Sequence, residues 1–348
     1  MIEPVWLLAA FALALVAGAG LCRVVIAFGL VDAPTEARKI QKAPVPTSGG
    51  LGFASATIGS ALVISLFAGV TASPGVTAAA WGSLAALVLG LADDRFELRA
   101  RIKLVAMLAI CLAMAAWGVR ADIIEPWPGV AWELPVALSA AGSILWLVVV
   151  MNAVNFMDGA NGLAMSMGAI SALGLLVCGV VAEAPDAAVL AAALAGGLGG
   201  FLVWNLSGRL FAGDAGALFV GAMLAGLSLL IVRLRPDWLF VPPILLMPFL
   251  SDVLLTIAWR ARHGKRLFSA HRDHAYQIAM KAGLKHWQIA AIHAVWTLNA
   301  AAMGVVATIA GGYVPLLVFL ALLAASAWVH VRVRRSGVKA GLVGAGLP

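Results

Sequence analysis

Apolar residues fill this chain in long runs, separated by short polar stretches at fairly regular intervals. A bilayer core of about 30 Å is crossed by about 20 helical residues at 1.5 Å each. On that measure the pattern predicts eleven spanning helices, near 5–28, 50–70, 76–92, 102–119, 135–151, 162–182, 187–205, 215–232, 238–258, 287–309 and 313–331. Several runs are rich in Gly and Ala, which suits close helix packing. The third and fourth meet around Asp93–Arg101. No internal repeat or soluble domain interrupts them. The expected fold is therefore a single all-α polytopic unit over 1–348.

The polar breaks carry the charge, and they alternate in kind. With the N-terminus outside and the C-terminus inside, twenty of the 23 Lys and Arg residues fall on the inner side, leaving Arg120, Arg233 and Arg235 outside. A shift of one span would scramble this bias, so it supports both the count and the orientation. Glu3, Asp122, Glu125, Glu133, Glu183, Asp186 and Asp237 fall outside. A basic inner face suits anionic lipid heads and phosphorylated ligands. Composition agrees: 63% hydrophobic and 11% charged residues exclude an ordinary soluble protein. The first residues, Met-Ile-Glu-Pro, lack a basic leader region, so the first run is expected to stay as an anchor. Cys22, Cys111 and Cys178 lie in apolar runs without metal-ligand spacing.

Chemistry-bearing side chains collect in the five inner breaks, over 30–49, 93–103, 152–161, 205–214 and 259–286. The first reads Arg38-Lys39-Ile40-Gln41-Lys42-Ala43-Pro44-Val45-Pro46-Thr47-Ser48-Gly49-Gly50. Lys42, Thr47 and the amides of a helix start are candidate phosphate contacts. The second pairs Asp93 with Asp94 ahead of Lys103; paired acids bind Mg²⁺ or act as base or nucleophile, or are neutralised by their own basic neighbours. The third spaces Asn152, Asn155, Asp158 and Asn161 by three, with Gly159 and Gly162 for turns or close approach. The fourth contains Asn205 and then Gly213-Asp214-Ala215-Gly216, in which Asp214 either caps a helix or holds a metal beside a diphosphate. The fifth contains Asp252 at its approach and then His271, Arg272 and His274, a grouping suited to anions. His286, His293 and His330 have no such neighbours.

Taken in order, Pro-Thr-x-Gly-Gly, Asp-Asp with a downstream Lys, Asn-x-x-Asn-x-x-Asp-Gly-x-x-Gly-Leu, Gly-Asp-x-Gly and a late His motif resemble the polyprenyl-phosphate N-acetylhexosamine-1-phosphate transferases. That family includes phospho-MurNAc-pentapeptide translocase and the transferases that initiate surface polysaccharides. The resemblance runs from Arg38 to Gln277. It implies that Asp93 and Asp94 are the paired acids and Lys103 their lysine. It also implies that Asn155 and Asp158 belong to the nucleotide and catalytic loop, that Asp214 is a Mg²⁺ ligand, and that His274 is the late histidine. Asn161 stands where many members have Asp, Ala217 where they have Ser, and Tyr276-Gln277 where they have adjacent histidines. The His-Arg-Asp-His-Ala-Tyr-Gln form is more similar to the surface-polysaccharide branch.

The function so implied is transfer of a sugar-1-phosphate from a UDP-sugar to undecaprenyl phosphate with release of UMP, initiating a cell-envelope polysaccharide such as O-antigen. Mg²⁺, or Mn²⁺ in its place, would serve as cofactor. The setting would be the bacterial inner membrane with a cytoplasmic active site, in a monomer or homodimer and without nucleic acid. Asp93, Asp94 and Asp158 are the catalytic candidates. Lys42, Thr47, Lys103, Asn152, Asn155, Asn161, Asn205, His271, Arg272 and His274 are the substrate-binding ones. The rival is a transporter of an anionic or lipid-linked solute, which predicts ionisable residues along a path through the spans. Among the acids only Asp252 lies within an expected span, near its inner end.

Overall fold

The computed structural model of the chain describes residues 2–28, 31–32, 45–265 and 272–343. Lys42 and His271 fall outside these residues. In hydrocarbon a backbone must satisfy its own hydrogen bonds, so the apolar runs become helices. In order these are α1 (Pro4–Phe28), α2 (Gly49–Phe67), α3 (Pro74–Phe96), α4 (Ala100–Ala116), α5 (Val136–Met157), α6 (Leu163–Val181), α7 (Pro185–Asn205) and α8 (Gly213–Leu234). They continue as α9 (Val241–Leu245), α10 (Met247–Arg262), α11 (Ala275–Lys281), α12 (His286–Ala310) and α13 (Val314–Lys339). Among the described residues nine helices are long and apolar enough to cross a membrane, and a bent pair makes a tenth. The 17-residue α4 takes the place of the fourth expected run. The protein is a multi-pass, all-α membrane protein.

Three differences from the expected pattern have local causes. The ninth run is not one helix: residues 236–245 and 247–262 are bent by 76°. Pro236, Pro242, Pro243 and Pro248 crowd this break, and each removes an amide donor and obstructs the preceding turn. Second, Asp93 and Asp94 ride the last turn of α3, and Asn152 and Asn155 the last turns of α5, rather than lying in loops. No Gly or Pro interrupts either stretch, so the helices run on; Glu97, left-handed at φ 49°, ends α3. Third, the stretch 120–134, expected outside, folds into a hairpin of β3 (Ile123–Trp127) and β4 (Val130–Glu133), turning at Pro128-Gly129. Exposed Trp127 and Trp132 meet edge to face at 5.5 Å on it, as aromatic side chains do at a membrane surface. Two further strands, β1 (Val31–Asp32) and β2 (Val45–Pro46), pair antiparallel where the first inner stretch returns.

α8 is buried along its apolar length, whereas α1 and α13 bury only a small part of theirs. α8 is thus the axis of the bundle, touched by α2, α3, α5 and α6. Small residues allow that approach: a Cβ at Gly90 would overlap the backbone of Ala215, and one at Gly221 would lie 2.6 Å from the Met151 Cα. The Gly90 contact brings the end of α3 against the start of α8. On another side, α1 packs on α7, where a Cβ at Gly18 would lie 2.8 Å from the Gly197 carbonyl.

The connections sort to two ends. At one, Ser73 donates its amide to Asp186 (2.8 Å), Arg233 bonds the Gly118 carbonyl (2.7 Å), and the Ala121 amide meets Ser143 (3.3 Å). At the other, the Gly49 and Gly50 amides bond the carbonyls of Phe211 and Ala212 at 3.0 and 3.1 Å, and the Phe211 amide bonds the Pro46 carbonyl at 2.9 Å. The stretches expected inside therefore share one end.

Candidate active site

That end gathers the acids. Lys103, on the first turn of α4, lies 2.6 Å from Asp93 and also pairs with Asp214. Asn155 donates to the other Asp214 oxygen at 2.8 Å. Asp93 uses its remaining oxygen to accept the Leu98 amide at 2.9 Å, which fixes the turn between α3 and α4. Asp94 has a different task. Its two oxygens accept the amides of Asp214 (2.9 Å) and Asp94's second partner, Ala215 (3.1 Å), at the start of α8. Those amides have no partner within their own helix. The capping carboxylate of α8 thus comes from α3, which leaves the Asp214 side chain to face Lys103 and Asn155. Gly213, at φ 70°, makes this possible: a Cβ there would lie 2.5 Å from Asp94 Oδ2 and 2.6 Å from the Thr47 carbonyl.

Asp158 follows the end of α5. Burial, and then the nearby charges of Asp214 and Asp94, push its carboxyl up to about 7. Among the described residues its side chain has no hydrogen-bond partner. Four carboxylates here face one lysine, so the cluster has an excess of negative charge. No three Asp, Glu, His or Cys side chains among the described residues converge as a complete metal ligand set. Mg²⁺ commonly takes only one or two carboxylates, completing its octahedron with water and phosphate oxygens. The oxygen-only donors and uncompensated charge fit such an ion.

The remaining candidates divide. Asn205 is buried, and its carboxamide is spent on structure: it accepts the Gly162 amide at 2.7 Å and donates to the Leu210 carbonyl at 2.8 Å, clasping the third stretch to the fourth. Asn152 bonds back to the Val148 carbonyl at 2.8 Å within α5. Asn161 gives its amide to His286 Nδ1 at 3.1 Å, so His286, which the sequence left unassigned, helps hold the third stretch. Thr47 contributes its carbonyl beside Gly213. His274 is buried against Asp252, 3.2 Å away, while Arg272 is exposed. Asp252 also accepts the amides of Ala275 (2.9 Å) and Tyr276 (3.1 Å), capping α11. Behind it Arg260 pairs with the Asp273 carboxylate, and Arg334 of α13 bonds the Asp273 carbonyl and Thr256 (3.2 Å). The ionised groups within α10 and α13 thus anchor the fifth stretch. Nothing in the sequence pairs residues so far apart.

Comparison with known proteins bears on this arrangement. The profile of glycosyl transferase family 4 matches residues 76–232, which hold all four acids of the cluster. A decaprenyl-phosphate N-acetylglucosaminephosphotransferase of Mycobacterium tuberculosis is 30% identical over 301 residues, 77% of this chain and 73% of that protein. A probable undecaprenyl-phosphate N-acetylglucosaminyl 1-phosphate transferase of Bacillus subtilis is 29% identical over 277 residues, 76% and 73% of the two chains. The phospho-N-acetylmuramoyl-pentapeptide-transferase of Lactococcus lactis subsp. cremoris is 30% identical over 268 residues, 71% and 79%. The chain is a membrane transferase that belongs to glycosyl transferase family 4, within the superfamily of polyprenyl-phosphate sugar-1-phosphate transferases.

Proposed function

We propose that this protein transfers a sugar-1-phosphate, of N-acetylhexosamine type, from a UDP-sugar to undecaprenyl phosphate and releases UMP, as the first step of a cell-envelope polysaccharide. The observation that carries the reading is the convergence of Asp93, Asp94, Lys103, Asn155, Asp158 and Asp214 at one end of an apolar bundle. An oxygen of the lipid phosphate forms a bond to the β-phosphorus of the donor, and the bond from that phosphorus to UMP breaks. Both reactants are anions, so positive charge must meet them. A bound Mg²⁺ would offset charge on the diphosphate and the departing UMP; Asp214, with Asp93 beside it, would hold it.

The chain's own residues supply the rest. Lys103, held between Asp93 and Asp214, would meet phosphate oxygens with a divalent cation sharing those carboxylates. Asn155 fixes the Asp214 side chain. Asp158 takes the proton of the lipid phosphate, since a base with a pKa of about 7 is matched to that work. Asp94 keeps the α8 amides in place. Arg272 and the segment beside it contact the nucleotide diphosphate. The apolar helices receive the polyprenyl tail, and the active end faces the cytoplasm of a bacterial inner membrane.

Asp93 is tied to Lys103 and the Leu98 amide, and Asp94 to two amides, so direct attack by the lipid phosphate is favoured over a phosphosugar-enzyme intermediate. The test uses purified protein, Mg²⁺, undecaprenyl phosphate and a panel of UDP-sugars, with release of UMP as readout. Labelled UMP should enter UDP-sugar only when the lipid is present. Activity unchanged by EDTA would remove the metal from the scheme.

A further inference from the structure

Tyr276 is 2% exposed and reaches away from α11 into the third inner stretch. Its hydroxyl donates to the Phe156 carbonyl at 3.1 Å. That carbonyl belongs to the last turn of α5, where helix carbonyls lack partners of their own. Gln277 donates to the same phenol oxygen at 3.2 Å and accepts the His274 amide at 3.3 Å, and Asp252 holds the Tyr276 amide. The hydroxyl end of the ring comes so close to Gly159 that a Cβ there would overlap it. The turn carrying Asp158 is therefore gripped from three elements. Tyr276 holds Phe156 and Gly159, His286 holds the Asn161 amide, and Asn205 holds the Gly162 amide. Of these grips, that of Tyr276 is nearest in sequence to Asp158, two residues from Phe156 and next to Gly159.

We infer that Tyr276 is a positioning residue for the transfer reaction: its bond to the Phe156 carbonyl and its fit against Gly159 set where the Asp158 carboxylate stands. The inference rests on the proposed role of Asp158 as proton acceptor. A tether of this kind acts on the chemical step and leaves nucleotide binding nearly unchanged.

Tyr276→Phe removes the hydroxyl and keeps the ring. Its kcat should fall about tenfold to 10²-fold, because a misplacement of about 1 Å at a reacting group has that effect. KM for the UDP-sugar should stay within about twofold, as for an interaction made in the transition state alone. Para-aminophenylalanine at 276 returns a donor to the same place and should recover most of the rate, which a merely packing role would not require. Gly159→Ala, whose added Cβ would collide with the phenol, should reproduce the loss. Hydrogen–deuterium exchange across residues 157–163 should speed up in Tyr276→Phe without any substrate present. A Tyr276→Phe protein with wild-type kcat and wild-type exchange would overturn the tether. So would a loss confined to KM, or no recovery with the amino analogue. If wild-type protein released no UMP from any UDP-sugar, the functional reading would fall, and the exchange measurement would still decide for or against the tether.

Discussion

Asp158 shows how one side chain can oppose the fold that holds it. Its carboxyl titrates at about 7 in the folded protein, against about 3.9 for an unstrained aspartate. Between those values the folded state binds a proton that the unfolded state has released, so stability falls as pH rises through that window, and the penalty is complete above pH 7. Metal-free Asp158→Asn protein should therefore melt higher than wild type at pH 8 and about equally at pH 4, while its turnover collapses; equal melting at both pH values would refute the shift. The paired acids should separate in the same way. Asp94→Ala removes the cap of α8 and should cost about 1 kcal/mol, seen as a lower Tm. Asp93→Asn should keep Tm close to wild type, because its amide oxygen can still accept the Leu98 amide, and should lose about tenfold to 10²-fold in turnover through a weaker hold on Lys103 and the cation. That the acids would gather at one end was legible from their types and spacing. Their division of labour was not, because it depends on which carboxylate faces the amides of a helix 120 residues later. The structural use of Asn205 was hidden for a related reason: an amide in a polar loop shows no partners until the Gly162 amide and Leu210 carbonyl are brought to it.

Among the elements, the crossing of α3 and α8 is the one the active end depends on. Gly90 meets backbone there, and backbone cannot swing aside as a side chain can. Gly90→Val should spread the two helices, part Asp94 from the α8 amides and abolish activity along with most of the folded yield. Gly59→Ala, on α2 where a Cβ meets nothing within 4 Å, should be neutral or stabilising by up to about 1 kcal/mol. Equal yields for the two variants would show the crossing to be soft. Nearly every helix was visible as an apolar run, because lipid leaves a run of that length little choice. Helix ends were not, since α3 and α5 continue past the apolar boundary until a left-handed residue or a glycine-rich turn stops them. The hairpin and α11 also escaped: each is too short to show a period, and each is held by contacts with distant parts of the chain.

At the scale of the whole molecule, the charge bias and the two clusters of connections make the same statement about sidedness. Reporter fusions after Gly129 and Ala184 should lie on one side of the membrane, and those after Lys42 and Lys265 on the other. If Lys42 and Lys265 were separated, no shared active end would exist. The packing of α1 on α7 carries a further consequence, in the time taken to make the protein. α1 leaves the ribosome long before α7, the helix against which its Gly18 nests and which ends at Asn205. At about 5–20 residues per second, roughly 10–40 s pass before that partner exists. During that interval the glycine-bearing face of α1 is met by lipid or by a helper protein. The nascent chain is thus an open set of helices for much of its synthesis, and the seam between its first and seventh helices closes late.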